Sequence, residues 1–91
     1  MDEVQDNKKA GRYELQLDGD VAFAEYREGA DGVRAITHVE TPEHLRGRGV
    51  AAKLMDGVVA DARARNYKLR PVCPYAVVYF KRYPNARDVS A

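Results

Sequence analysis

A single cysteine, Cys73, stands among 91 residues, so no disulfide can form within the chain, and this usage fits a reducing compartment. Charge of one dominant sign is also missing. Fifteen Lys and Arg against 14 Asp and Glu leave a formal net charge of +1. Such a balance gives no general field for nucleic acid or an anionic membrane, so any basic site has to be local. No apolar run approaches the roughly 18–20 residues that span a bilayer, and the start of the chain has no signal-peptide core. These absences lead to the expectation of a cytoplasmic protein with no membrane and no nucleic-acid partner. At this length there is chain for one hydrophobic core and one domain.

Residues 1–11 are polar and without periodicity, and are expected to form a flexible N-terminal tail, leaving 12–91 as the single domain. Tyr13, Leu15 and Leu17 alternate with polar residues, the period of a half-buried strand. Asp18-Gly19-Asp20 is a hairpin turn signal, and a return strand follows over 21–28. That hairpin sets Ala22, Ala24 and Tyr26 on the face of Tyr13 and Leu15. Val21 and Phe23 then point the other way, so both faces carry apolar groups and a helix is expected on each. A second turn at 29–32 leads to a third strand over 33–40.

An amphipathic helix is expected over 49–65, with Ala51, Leu54, Met55, Val58 and Ala62 forming its apolar stripe. Gly57 costs about 1 kcal/mol in mid-helix, and Asn66 is a plausible stop. A fourth strand over 67–72 contains Pro71, which cannot complete a ladder and so belongs at an edge or where strands splay. Pro74 suits the first position of a short helix over 75–82. The order is β-β-β-α-β-α, an α+β pattern with a mostly antiparallel sheet.

The chemistry is concentrated in Thr41-Pro42-Glu43-His44-Leu45-Arg46-Gly47-Arg48-Gly49-Val50-Ala51-Ala52, between the third strand and the long helix. Two glycines one residue apart let backbone amides turn toward a common point, where the helix start adds its positive dipole end. Arg46 and Arg48 can grip a phosphate in bidentate fashion. The segment reads as a pyrophosphate site, against the plainer alternative of a glycine-rich turn with solvated arginines. Gly47 to Ala52 also satisfies G-x-G-x-x-G/A. However, no acidic residue follows about 20 positions on, and two hairpin-linked strands precede, so a nicotinamide site is disfavoured.

In these residues the chain resembles the GNAT superfamily of N-acetyltransferases, whose acetyl-CoA loop reads Gln/Arg-x-x-Gly-x-Gly/Ala. Ile36-Thr37-His38, Thr41-Pro42, the loop, and Val72-Cys73-Pro74-Tyr75 resemble the short, single-domain GNAT-like proteins in order and spacing. The resemblance implies a minimal GNAT-like fold whose last two strands splay apart, which gives Pro71 a reason. It further implies that Val39, Glu40 and Thr41 pair through their backbone with a pantetheine arm. Amides of Arg46, Gly47, Arg48, Gly49, Val50 and Ala51 would hold the pyrophosphate. His44 stands where the family pattern prefers Gln or Arg, and the two helices that larger relatives use toward the acceptor are missing.

Amine acetylation needs a proton acceptor for the amine and donors facing the thioester oxygen. His38, near the end of the third strand, is the candidate base, against the alternative of a half-buried histidine bonded to a neighbouring strand. Glu40 and Glu43 can act through water. Relatives use a tyrosine of the last helix as acid; here Phe80 takes that position and Tyr79 lies one residue away, so Tyr79 is the candidate. Cys73, just before a helix, is a candidate for the thioester pocket or a small buried hydrophobe. Lys81, Arg82 and Arg87 form a basic C-terminal cluster that either meets the adenosine phosphate or stays solvated. The functional expectation is acetyl transfer from acetyl-CoA to an unidentified amine, with no metal, by a monomer or weak homodimer. The alternative is a non-catalytic acetyl-CoA or CoA-binding module.

Overall fold

Asp18 and Gly19 adopt positive φ angles of 53° and 77°, the left-handed pair that a two-residue hairpin loop requires if its strands are to keep their twist. In this computed structural model, which describes residues 3–91, that turn joins β2 (Arg12–Leu17) to β3 (Asp20–Glu28). Tyr13 faces Ala24 and Leu15 faces Ala22 across the pair, as the alternation predicts. β4 (Val33–Glu40) adds antiparallel to β3, and β5 (Lys68–Pro71) adds parallel to β4. The connection between β4 and β5 is α1 (Val50–Arg65), which ends on Asn66 at φ 63°. α2 (Pro74–Arg82) follows β5, with proline in its first turn where the missing N–H costs nothing.

The expected flexible tail is a correction. Gln5–Asn7 forms a short strand, β1, antiparallel to the outer edge of β2, so the sheet has five strands in the order β1-β2-β3-β4-β5. Met1 and Asp2, the start of that segment, lie outside the described residues. What docks the segment is tertiary and leaves no periodicity to read. Asp6 lies level with Tyr13 and meets the Arg34 guanidinium at 2.9 Å. Val4 packs over Gly57, where a Cβ would collide with the valine side chain. The mid-helix glycine is therefore explained by close approach of another segment.

The second correction concerns the helices. Both lie on one face of the sheet, where Tyr13, Leu15, Ala22, Ala24, Ile36 and Leu69 meet Leu54, Met55, Val58 and Phe80 in one core. Tyr79 of α2 donates to Asp56 of α1 at 2.6 Å, which ties the helices side by side. The opposite face stays half-buried or exposed. Its apolar side chains, Val21 and Phe23 on β3 and Val33 and Ala35 on β4, are scattered among charged and polar ones and too few to seat a helix. Phe23 is covered instead by the Arg12 guanidinium, 4.3 Å from its ring centroid, and by the His38 ring at 6.0 Å. Among the described residues no helix is long and apolar enough to cross a membrane.

Among the described residues one buried charge sits in this core. Arg34 is 4% exposed, paired with Asp6 and Glu28, bonded to Tyr13 Oη at 2.8 Å and stacked on the rings of Tyr26 and Tyr67. Tyr13 and Tyr67 in turn donate to Asp61 of α1. No buried side-chain nitrogen or oxygen among the described residues lacks a partner, which a buried charge requires. Burial pushes the Asp6 carboxyl up, but the Tyr26 hydroxyl and the Arg34 guanidinium outweigh it and hold the group below its ordinary value. The same bond and burial raise the Tyr26 phenol to about 12.

Asp6→Ala should cost about 3 kcal/mol in urea unfolding, the low end for one broken partner of a buried pair, because Glu28 still faces Arg34. Adding Arg34→Met should restore part of that loss. A lowered folded pKa means that this stability is complete above the unfolded value of about 4 and fades as pH falls through the folded value. The difference between wild type and Asp6→Ala should therefore shrink in acid.

Candidate functional site

The β4–β5 ladder stops early. It runs from Val33 against Lys68 to Ile36 against Pro71, and there the Ile36 carbonyl accepts from both Val72 and Cys73, at 3.1 and 2.9 Å. Beyond this point β5 turns into α2, while β4 continues beside β3 to Glu40. The second half of β4 is thus paired on one side and open on the other. A bulge sits at the same place. Tyr26 pairs with Ile36 and Glu25 with His38, which leaves Thr37 as the extra residue on β4. The bulge reverses the alternation, so Val39 faces the core opposite Ala24, and His38 and Glu40 face outward opposite Glu25 and Phe23.

After β4, the 3-10 turn Glu43–Leu45 drives Leu45 fully into the core and anchors the loop. Gly47 and Gly49 have φ angles of 79° and 73°, and a Cβ on either would meet nothing within 4 Å. The requirement for glycine here is backbone conformation, and the space above the loop is open. Gly49 starts α1 with no side-chain cap. The first intrahelical bond runs from Lys53 N–H to the Gly49 carbonyl, so the N–H groups of the first turn remain without helical partners. They border a cavity of about 350 Å³ whose walls are Thr41, Leu45–Gly47, Gly49–Ala52 and, from α2 and its end, Tyr75, Arg82 and Tyr83. Free amide donors, a helix N-terminus and an arginine on one cavity suit a phosphate-bearing ligand.

The loop is held from outside by the β2–β3 turn. Asp18 pairs with Arg48 at 2.8 Å and Asp20 with His44 Nε2 at 3.0 Å. The N–H of Val21 and the His44 ring hold the Asp20 carboxyl below its ordinary value. Arg46 Nε donates to the Thr41 carbonyl at 3.0 Å, closing the loop on itself. His44 therefore braces the loop from a position where sequence pattern alone suggested a weakened ligand contact. Both loop arginines are engaged within the protein.

The structure brings together Thr41, Arg46, Gly47, Gly49, Val50 and Ala51 around the cavity. Arg48 faces the Asp18 turn. His38 lies on the outward face, half-exposed, with Nε2 2.9 Å from Glu40. Cys73 is 8% exposed and caps α2 beside the point where β4 and β5 part. Tyr79 is 3% exposed and does not line the cavity. Burial and its bond to Asp56 push its phenol above the ordinary value. Sequence reading missed Tyr75 and Tyr83 as cavity walls and set Arg82 only within a basic cluster. Their spacing of seven and eight along one helix face was the available signal.

Residues 12–89 match the protein family described as GCN5-related N-acetyl-transferase. A solution NMR structure of a GCN5-like protein from Staphylococcus aureus, an N-acetyltransferase by assignment, superposes with a TM-score of 0.76 at 25% identity. The match covers 99% of this chain and 88% of that one. No curated protein matches the sequence.

If the β2–β3 turn orders the loop, Asp18→Asn with Asp20→Asn should speed hydrogen exchange of the amides at Arg46, Gly47 and Arg48. Exchange in the β2–β3 ladder should stay unchanged. Equal exchange in wild type and variant would show that the loop holds its shape without the two carboxylates.

Proposed function

The chain belongs to the GCN5-related N-acetyltransferase family, and from that premise we propose that it moves an acetyl group from acetyl-CoA to an amine. The observation that carries this reading is the glycine-lined cavity at the start of α1, opening beside the split between β4 and β5. The residues present fit the group. Open space stands where Cβ atoms of positions 47 and 49 would project. Amides of Gly49, Val50 and Ala51 supply donors for a pyrophosphate, and Arg82, which makes no hydrogen bond or ion pair among the described residues, supplies charge. The unpaired edge of Val39, Glu40 and Thr41 offers backbone groups to the pantetheine arm, in the manner of an added strand.

When bound, acetyl-CoA supplies an acetyl group activated as a thioester. The chain's part is to hold the amine and take its proton. His38 Nε2 faces the Glu40 carboxylate, which keeps the N–H on Nε2 and leaves Nδ1 as the nitrogen able to accept. In this reading His38 Nδ1 takes the proton that the attacking amine gives up. Cys73 lines the thioester region, and direct transfer to the amine needs no covalent step at its sulfur. With that thiol unpaired, the reading places the activity in the cytoplasm.

A second reading, binding of acetyl-CoA or CoA without turnover, is favoured by one observation. Tyr79 is spent on Asp56, and its neighbour Phe80 is a buried apolar ring, so no free tyrosine stands at the usual acid position.

Acetyl-CoA should bind with micromolar affinity by calorimetry, about 7–8 kcal/mol. Gly49→Val, which forces a β-branched residue to positive φ, should weaken it at least about tenfold. Arg82→Gln should weaken acetyl-CoA while leaving phosphate-free pantetheine unaffected. CoA release with a panel of amines separates enzyme from module. His38→Gln should lower kcat/KM by about 10²–10⁴ with acetyl-CoA affinity intact. Unchanged binding by Gly49→Val would remove the loop from the reading, and no release with any amine would leave the binding module.

A further inference from the structure

The chain has ten arginines, and six are held by carboxylates or carbonyls of the protein itself. Arg12, Arg34, Arg48, Arg63 and Arg65 pair with carboxylates, and Arg46 with a backbone oxygen. Arg82 faces the cavity and Arg87 a hollow near Phe80. The last two, Arg27 and Arg70, are exposed and make no hydrogen bond or ion pair among the described residues. They are not scattered. Arg27 of β3 and Arg70 of β5 are both in register with Ala35 of β4, one on each side of it.

All three residues lie on the outward face, since Tyr26 and Leu69, their chain neighbours, point into the core. Two strand spacings of about 4.8 Å place the two arginine Cα atoms about 10 Å apart. Both side chains can therefore lean over the small Ala35 and close on one anion, each with a planar fork of donors. Three positions along β4 the charge reverses. Glu25 and Glu40 stand beside His38 at the open half of the strand, and Glu25 makes no ion pair with Arg27. The inward face is filled by α1 and α2, so an acceptor reaches the split across this outward face.

We propose that the acceptor is an amine that also carries a carboxylate or phosphate group, its anionic end gripped by Arg27 and Arg70 and its amine directed to His38. This deepens the transfer reading and rests on it. The amine, cationic in solution, meets the acidic end of the face, and the anion meets the basic end. From Ala35 to the residues beside the split is two to three positions, roughly 7–10 Å along the strand, which suits a chain of four or five carbons between the two groups.

The test uses CoA release with 5-aminopentanoate, 4-aminobutylphosphonate, pentylamine and 1,5-diaminopentane. Either anionic amine should show a KM at least tenfold below those of pentylamine and the diamine, and the order of the two identifies carboxylate or phosphate as the source. Arg27→Gln with Arg70→Gln should bring the ratio of anionic to neutral KM toward one, while Arg87→Gln leaves the ratio as it is. A diamine or plain amine used as well as the anionic ones, or a double variant that keeps the preference, overturns the proposal. If no amine releases CoA, amide shifts of Ala35 and Thr37 on titration with 5-aminopentanoate decide. Shifts lost in the double variant keep the anion site and reject transfer, whereas no shift in the wild type rejects the anion site itself.

Discussion

One carbonyl oxygen carries two hydrogen bonds, and the architecture of the site follows from it. Ile36 accepts from Val72 and Cys73 in succession, so the chain after Pro71 cannot advance along β4 and swings away from it. Proline at the last ladder position brings no N–H of its own to compete, and Pro74 then starts α2 without loss of a helical bond. On the other strand, the bulge at Thr37 turns His38 outward and Val39 inward at the same level. The split and the re-aimed histidine are two consequences of how one short stretch of β4 is paired on its two sides.

That pairing needs a β4 that does not move, and the Arg34 cluster supplies the anchor. Two residues before Ile36, the guanidinium is locked between carboxylates and tyrosine hydroxyls contributed by β1, β2, β3 and the turn before β5. The cost of burying a charge is offset only when each donor finds an acceptor, and here the N-terminal strand provides the closest carboxylate. A segment that looks dispensable by composition thus supports the strand that borders the site.

Charge is distributed with the same economy. A net charge of +1 conceals a division between arginines consumed by the fold and those left outward. Arg46 and Arg48 shape the glycine loop through Thr41 and Asp18, so the loop's geometry is the protein's own. Arg82 on one side of the sheet and the Arg27–Ala35–Arg70 row on the other remain available to ligands. A net charge this close to zero removes long-range attraction for polyanions while leaving these short-range sites intact.

Local sequence determined the elements, because each rests on interactions within a few residues: alternation in β2, the Asp18-Gly19 turn, the three-and-four spacing of α1, and the stop at Asn66. It also determined the loop, since positive φ at Gly47 and Gly49 is a property that glycine announces by itself. Resemblance in four short segments extended this to the family. Only the tertiary structure decided the rest. It docked the polar N-terminal segment through Asp6 and Val4, put both helices on one face, spent Tyr79 on Asp56 and brought Tyr75, Arg82 and Tyr83 to the cavity wall. These depend on contacts between residues far apart in the chain, and nothing in local period or composition encodes which distant partner satisfies a buried arginine or fills the space above a glycine.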